Sequence, residues 1–415
     1  MQQIDVAERR RRLAVRHGLV RPGSRSGGLG SSGGLGSSGG LGPGDLAGIV
    51  SQMVALHGTD PGTVFLSLRA RAGEQVTVSA IEDLLYERRD AVRMLAMRRT
   101  MFVVPAESVP VVQAAAADRI ARDQRGKLIK LLGDAGVVAD PEPWLADLER
   151  SVLKVLSEGG KPMSAAELGA AEPRLRTTVE LAAGKPYAAT QNITSRVLRV
   201  IAAHGEIVRG RPIGTWLSAQ YRWSLAKEWL PEAALTGPVG ESQARAELAR
   251  QWLLAYGPAP LADLKWWTGW TMAQVRQAVG DLRVIEVSLG TDAGTGYVLA
   301  DDLDPTADPG SWVALLPALD CSVMGWSERS WFLGSHGKAL FDTNGNAGPT
   351  VWLDGRVIGG WAQRTSGEIV IRLMEVVGSE AQARIETEAA RLSAWLGAVR
   401  IIPRFRTPTE RELSA

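Results

Sequence analysis

Five arginines, Arg196, Arg199, Arg209, Arg211 and Arg222, crowd one stretch of chain in which Glu206 is the only acid. A guanidinium presents a planar fork of donors that matches phosphate, so such a cluster suits contact with a nucleic-acid backbone. Arg93, Arg98 and Arg99 form a second, smaller group. The 415 residues include 47 basic and 45 acidic side chains, a net charge of +2, so the argument for a polyanion rests on this clustering and not on the total. Fourteen tryptophans stand against five phenylalanines and five tyrosines. Trp216, Trp223, Trp266, Trp267 and Trp270 have the chemistry to stack on bases or wedge into a groove. The helical spacing of the last three points instead to packing.

Other chemistries find little support. His17, His57, His204 and His336 are scattered, with no spacing that would hold a metal on a helix, and the lone Cys321 excludes an internal disulfide and cysteine-based metal sites. Neither a metal nor a cofactor is expected. Gly28-x-Gly30-x-x-Gly33, repeated at Gly34, Gly36 and Gly39, belongs to a Gly/Ser repeat over 22–44. It neither follows a strand nor opens a helix, as a dinucleotide fingerprint must, and reads as a flexible loop. With 45% hydrophobic and 22% charged residues the chain has globular composition. No apolar run is long enough to span a membrane and no leader is evident, so a cytoplasmic protein is expected.

The elements that must position the arginines repeat along the chain. A basic helix over 5–18 precedes the Gly/Ser loop. Apolar residues from Leu46 recur at helical spacing and should stop around His57 to Gly62. Helices over 63–70 and 79–87, the latter capped by Ser79, and a strand-like run over 92–104 follow. Twice thereafter the order is helix, short helix, amphipathic helix, hairpin: 143–158, 164–170, 193–204 and 206–224, then 241–256, 260–267, 271–282 and 284–299. That order suits a winged helix. Beyond Asp308, short β-type runs, including 330–333 and 399–403, surround one helix at 379–396. The expected class is α+β, with tandem winged-helix units at 1–140, 141–235 and 236–308 and a C-terminal β-barrel over 309–415.

Several segments together resemble the AlkZ/YcaQ family of winged-helix DNA glycosylases: His57-Gly58-Thr59-Asp60-Pro61, Ser67-Leu68-Arg69-Ala70-Arg71, Arg98-Arg99-Thr100 with Pro105, and Leu315 to Asp320 with Met324 to Arg329. The resemblance spans nearly the whole chain outside the Gly/Ser insertion. It implies tandem winged helices around a DNA-binding cleft and removal of alkylated purines, bulky adducts included. The family's Gln-x-Gln or Gln-x-Asp motif falls on His57 and Thr59, where this sequence departs from it.

Chemistry permits that departure. An N7-alkylated purine is cationic and leaves readily from an oxocarbenium-like sugar, so the reaction needs a positioned water more than a strong base. Neutral imidazole accepts from water, Thr59 can hold the same water, and Asp60 can orient it or stabilise positive charge on the sugar. In the purely structural alternative, His57 and Thr59 cap the end of their helix and Asp60 makes an Asx turn over Pro61-Gly62. The expected function is a monofunctional glycosylase on duplex DNA, acting as a monomer without cofactor, in repair or self-resistance. The alternatives are a non-catalytic winged-helix regulator or lesion sensor, or a protein-interaction module.

Overall fold

Short polar side chains start the helices that matter here. Asp5 accepts the backbone N–H of Glu8 and begins Val6–Arg16; Asp45 accepts that of Gly48 and begins Leu46–Gln52. Asp60 accepts that of Gly62, and with Pro61 in the first turn it begins Pro61–Ala72. Thr77, not Ser79, caps Val78–Glu82, which runs on as a π-helical turn, Asp83–Glu87. The computed structural model describes residues 1–20, 45–181, 189–235, 239–290, 294–403 and 406–414. The Gly28, Gly30 and Gly33 pattern and its repeat lie outside them. The fold is mixed α and β, and no described helix is long and apolar enough to cross a membrane.

The chain forms two compact units, 1–84 with 246–415, and 85–245.

In the unit of 85–245 the strand-like run is a hairpin, Ala91–Ala96 paired antiparallel with Thr100–Pro105. Its tip carries Arg98 and Arg99 at φ 53° and 61°. After the helices Asp118–Asp134 and Pro141–Gly159 come Met163–Ser164, Ala165–Ala171, Thr194–Ala203 and the strands Ile207–Pro212 and Tyr221–Leu225. Met163–Ser164 pairs with Tyr221–Leu225, which pairs with Ile207–Pro212. Leu148, Val152, Leu156, Val197, Leu198 and Ile201 fill the core between the helices. Before Thr194–Ala203, Thr178–Leu181 pairs antiparallel with Ala189–Asn192, an element the sequence reading does not anticipate. Apart from Val179 its residues are exposed or half-exposed, so no apolar face marks it in the sequence.

The unit of 1–84 and 246–415 contains the same order once more: Leu261–Thr268, Met272–Gly280 and the hairpin Val284–Ser288 with Thr295–Leu299. The expected β-barrel is absent from the described residues. Val313–Leu316, Thr350–Leu353, Arg356–Gln363 and Ile369–Leu373 make an open four-stranded antiparallel sheet, with Ser379–Leu396 packed against it. The run 330–333 is a helical turn, Ser330–Leu333, because Glu328 accepts the N–H of Ser330. Residues 399–403 join no ladder. The N–H of Ile401 goes to the Gln363 side chain, and Pro403 has none to give.

The basic N-terminal helix is not a solvated face. Arg12 is buried, bonding to Glu8 and to the carbonyls of Asp302 and Asp304, and Arg16 reaches Asp302 at 2.6 Å. Deeper still, Arg71 forms a bidentate pair with Asp320 at 2.9 and 2.8 Å, and Ser67 Oγ donates to the same carboxylate at 2.6 Å. Burial pushes the Asp320 carboxyl up most strongly, but the Arg71 charge together with the hydrogen bonds from Arg71, Ser67 and the Ser322 N–H outweighs it and leaves Asp320 below the usual carboxylate range. Arg71 also donates to Ser322 Oγ, which lies 2.8 Å from His17 Nδ1, while His17 Nε2 lies 3.1 Å from the Ala255 carbonyl. A neutral imidazole protonated on Nε2 satisfies both contacts. Burial and then the Arg71 charge hold His17 down at about 3.

Removing one partner of the buried pair strands the other charge, so Asp320→Ala should cost about 3–5 kcal/mol, read as a fall in the urea midpoint followed by tryptophan fluorescence. His17 binds its proton near 6.5 in the unfolded chain and only near 3 in the folded one. Stability should therefore fall as pH drops from about 6.5 towards 3, and His17→Gln should flatten that slope in pH-dependent denaturation curves.

Candidate DNA-lesion site and arginine array

The helix expected to reach His57 ends at Gln52, and Val54, at φ 62°, turns the chain away. His57 lies in the two-residue strand Leu56–His57, so neither it nor Thr59 caps a helix end. The expected Asx turn at Asp60 is present, and it doubles as the cap of Pro61–Ala72. Thr63, in the first turn of that helix, donates through Oγ1 to the Ala318 carbonyl at 2.7 Å. This bond draws the motif against residues 317–319. Thr59 and Asp60 consequently border one small cavity, with Leu319, Asn346 and Pro403 opposite. Thr59 is exposed and Asp60 half-buried, whereas His57 is only 6% exposed and borders neither this cavity nor the neighbouring groove. The motif thus gathers Thr59 and Asp60 at one opening and leaves His57 behind them.

That groove, of about 30 Å³, is bordered by Asp60 together with Thr63, Gln363, Arg406 and Glu410. Glu410 was not anticipated. The capping box Thr407-x-x-Glu410 can be read in the sequence, but its burial beside Asp60 cannot. Glu410 Oε2 accepts from the Thr407 N–H at 3.0 Å, and Gly348 passes so close that a Cβ there would lie 2.9 Å from the same oxygen. Burial, with a contribution from the negative charge of Asp60, pushes the Glu410 carboxyl up to about 7 against the hydrogen bonds from Thr407.

The expected arginines divide into two groups. Arg211 pairs with Glu87 at 2.8 Å and lies over the Tyr86 ring; Arg222 reaches Glu167 at 3.2 Å. Arg99, Arg196, Arg199 and Arg209 have no carboxylate partner among the described residues. Burial lowers Arg199, and the charges of Arg196 and Arg99 add to the effect. Arg209 lies over the rings of Tyr221 and Trp223, at 5.5 and 5.2 Å, and Arg93 lies over Tyr221 at 5.2 Å. Burial, with further lowering by the charges of Arg93 and Arg199, brings Arg209 to about 10. Burial alone brings Arg98, at the hairpin tip, to about 10. Arg93, Arg99, Arg196, Arg199 and Arg209 therefore form one array of mutually repelling cations. Trp267 and Trp270 are buried, as their spacing suggested, while Trp266 lies under Arg329.

A carboxyl near 7 is a direct test of the Asp60–Glu410 arrangement. In a carbon-13 carboxyl titration one glutamate should titrate near pH 7, disappear in Glu410→Gln, and move to lower pH in Asp60→Asn. Because the folded chain holds this proton above the ordinary value of 4.5, the same group should lower stability as pH rises from 4.5 to 7.

The model of the AlkZ-like DNA glycosylase family matches residues 50–395, a span that holds the His57 motif, the whole arginine array and the open sheet. The structure of Streptomyces sahachiroi DNA glycosylase AlkZ superposes with a TM-score of 0.70 over 96% of this chain and 99% of that one, at 18% sequence identity. At that identity the likeness concerns fold. No curated protein matched. With the family pattern covering most of its length and the same fold beneath it, the chain belongs to the AlkZ-like DNA glycosylase family.

Proposed function

We propose that this chain is a monofunctional glycosylase that hydrolyses the N-glycosidic bond of N7-alkylated purines in duplex DNA, in repair or self-resistance. The observation that carries the reading is the shared cavity of Thr59 and Asp60 at the position where the family's motif falls. The bond from C1′ to the purine nitrogen breaks with its electron pair leaving on the purine, whose positive charge is thereby neutralised. Water adds to C1′ of the oxocarbenium-like sugar and gives up a proton. Thr59 holds the water, Asp60 orients it, takes its proton and faces the developing positive charge, and His57, buried behind them, positions the motif. An abasic site remains, and the chemistry requires neither metal nor cofactor.

The array of Arg93, Arg99, Arg196, Arg199 and Arg209, with Arg98 at the hairpin tip, supplies phosphate contacts. In this reading the repeated order of helix, short helix, helix and hairpin is a winged helix, with Thr194–Ala203 as the helix that lies on DNA and the segments at 1–140, 141–235, 236–308 and 309–415 as its domains. Several such units in one chain can grip a site as a monomer, in the cytoplasm at the nucleoid. The burial of His57 favours one rival: a protein that binds DNA, or senses lesions, without releasing the base.

Release of free base from duplex DNA containing N7-methylguanine separates the two. With intact protein free base should appear. Thr59→Ala, Asp60→Asn and His57→Ala, compared at matched DNA affinity, should each slow release by about 10²–10⁴-fold. Binding without release from this or a bulkier N7 adduct would leave the binding-protein reading.

A further inference from the structure

Among the described residues that border the cavity of Thr59 and Asp60, one further side chain is polar, Asn346 on the opposite wall. Its loop is fixed from both sides. The N–H of Asp342 donates to the Asn346 carbonyl at 2.9 Å, Gly345 turns the chain at φ 81°, and the N–H of Leu319 donates to the Ala347 carbonyl at 2.9 Å. The last of these bonds ties the loop to the segment that Thr63 draws against the motif through Ala318.

Asp342 decides which way the Asn346 carboxamide points. Its Oδ1 accepts the Asn346 N–H at 2.8 Å and its Oδ2 accepts from Asn346 Nδ2 at 2.8 Å. Burial pushes the Asp342 carboxyl up, but the hydrogen bonds from the side chain and N–H of Asn346 and from Asn344 outweigh it and leave Asp342 below the usual carboxylate range. An ionised carboxylate only accepts, so the NH2 end of Asn346 faces Asp342 and the oxygen end faces away. With its N–H, its carbonyl and its NH2 all committed to Asp342, Asn346 has Oδ1 left for the cavity. Among the described residues no donor reaches that oxygen. The cavity measures about 10 Å³, at the lower bound of the ~10–15 Å³ that one water needs, and such a water takes roughly two to four polar partners.

We propose that Asn346 is a further catalytic residue of the hydrolysis, its Oδ1 accepting one O–H of the attacking water while Asp60 accepts the other and Thr59 donates to the water oxygen. The role rests on the glycosylase reading. Of the four tetrahedral directions of the water one lone pair is then left, and it points at C1′. As the new bond from oxygen to C1′ forms and the bond from C1′ to the purine breaks, the proton facing Asp60 passes to that carboxylate. The proton facing Asn346 stays on oxygen and ends on the C1′ hydroxyl of the abasic site. Two contacts leave a water free to turn about the line that joins them, and a third ends that freedom, which is the ordering a near-attack geometry requires. Asp342 acts through Asn346, as a positioning residue.

The test is the single-turnover rate of N7-methylguanine release from duplex DNA by the full chain, with the Kd for the same duplex and the thermal midpoint measured for each variant. Asn346→Ala should slow release by at least about tenfold and leave Kd unchanged. Asp342→Asn keeps the turn, because the asparagine carbonyl accepts the same backbone N–H groups, but it sets an NH2 where Oδ2 was. The Asn346 amide then reverses and offers the water a donor, so release should again slow by at least about tenfold, at unchanged Kd and unchanged thermal midpoint. A merely structural Asp342 would instead lower the midpoint and leave the rate of the folded protein as it was. Combining the two substitutions should slow release no further than either alone. Parent-like release by Asn346→Ala overturns the proposal and leaves the glycosylase reading standing, and if that variant does not fold, parent-like release by Asp342→Asn overturns it instead. Full additivity of the two effects also overturns it. Absence of release by the parent overturns the glycosylase reading, and the role of Asn346 falls with it.

Discussion

The pair between Arg71 and Asp320 is the contact on which the motif's surroundings depend. Neither group reaches water, and both oxygens of the carboxylate are used by Arg71, Ser67 and the N–H of Ser322. A buried pair of this kind contributes little net stability over apolar residues of the same volume, but it tolerates one geometry only. Here that geometry joins the end of Pro61–Ala72 to Cys321–Met324, while Thr63 joins the start of the same helix to Ala318. Thr59 and Asp60 precede the first of these segments, and Ala318 and Leu319 precede the second. The cavity between them is a consequence of where the pair locks the two.

Much of the basic content serves this kind of purpose. Arg12, Arg16 and Arg71 are spent on carboxylates and carbonyls inside the unit of 1–84 and 246–415, and Arg211 and Arg222 each have an acid at the surface. A near-neutral chain can still present a cationic face when its acids are committed elsewhere, and Arg99, Arg196, Arg199 and Arg209 have no carboxylate partner among the described residues.

The sequence disclosed the pieces of this arrangement better than their assembly. Helical periodicity found the helices over 141–159, 194–203 and 241–256 because each buries one stripe. It missed the stop at Gln52, since Leu56 and His57 are as buried as a helix face would be and nothing local distinguishes the two. It could not see that 330–333 turns as a helix, because three consecutive buried residues have no period. At the site, the Asx turn of Asp60 follows from Asp-Pro-Gly alone, a local matter. The approach of Glu410, some 350 residues further along, and the division of the arginines into paired and array members depend on tertiary distance, which no spacing encodes.

The tip of the Ala91–Ala96 and Thr100–Pro105 hairpin places two successive arginines in the left-handed region. An L-residue with a side chain held there costs roughly 1–2 kcal/mol, a cost that glycine escapes and asparagine softens. One route to a more stable chain runs through those two positions, and the residues that relieve the strain are ones that carry no charge. If Arg98 and Arg99 make the phosphate contacts proposed for them, thermal stability and grip on a polyanion pull in opposite directions at this turn, and a stabilised descendant of this chain should be searched first for what it has lost at 98 and 99.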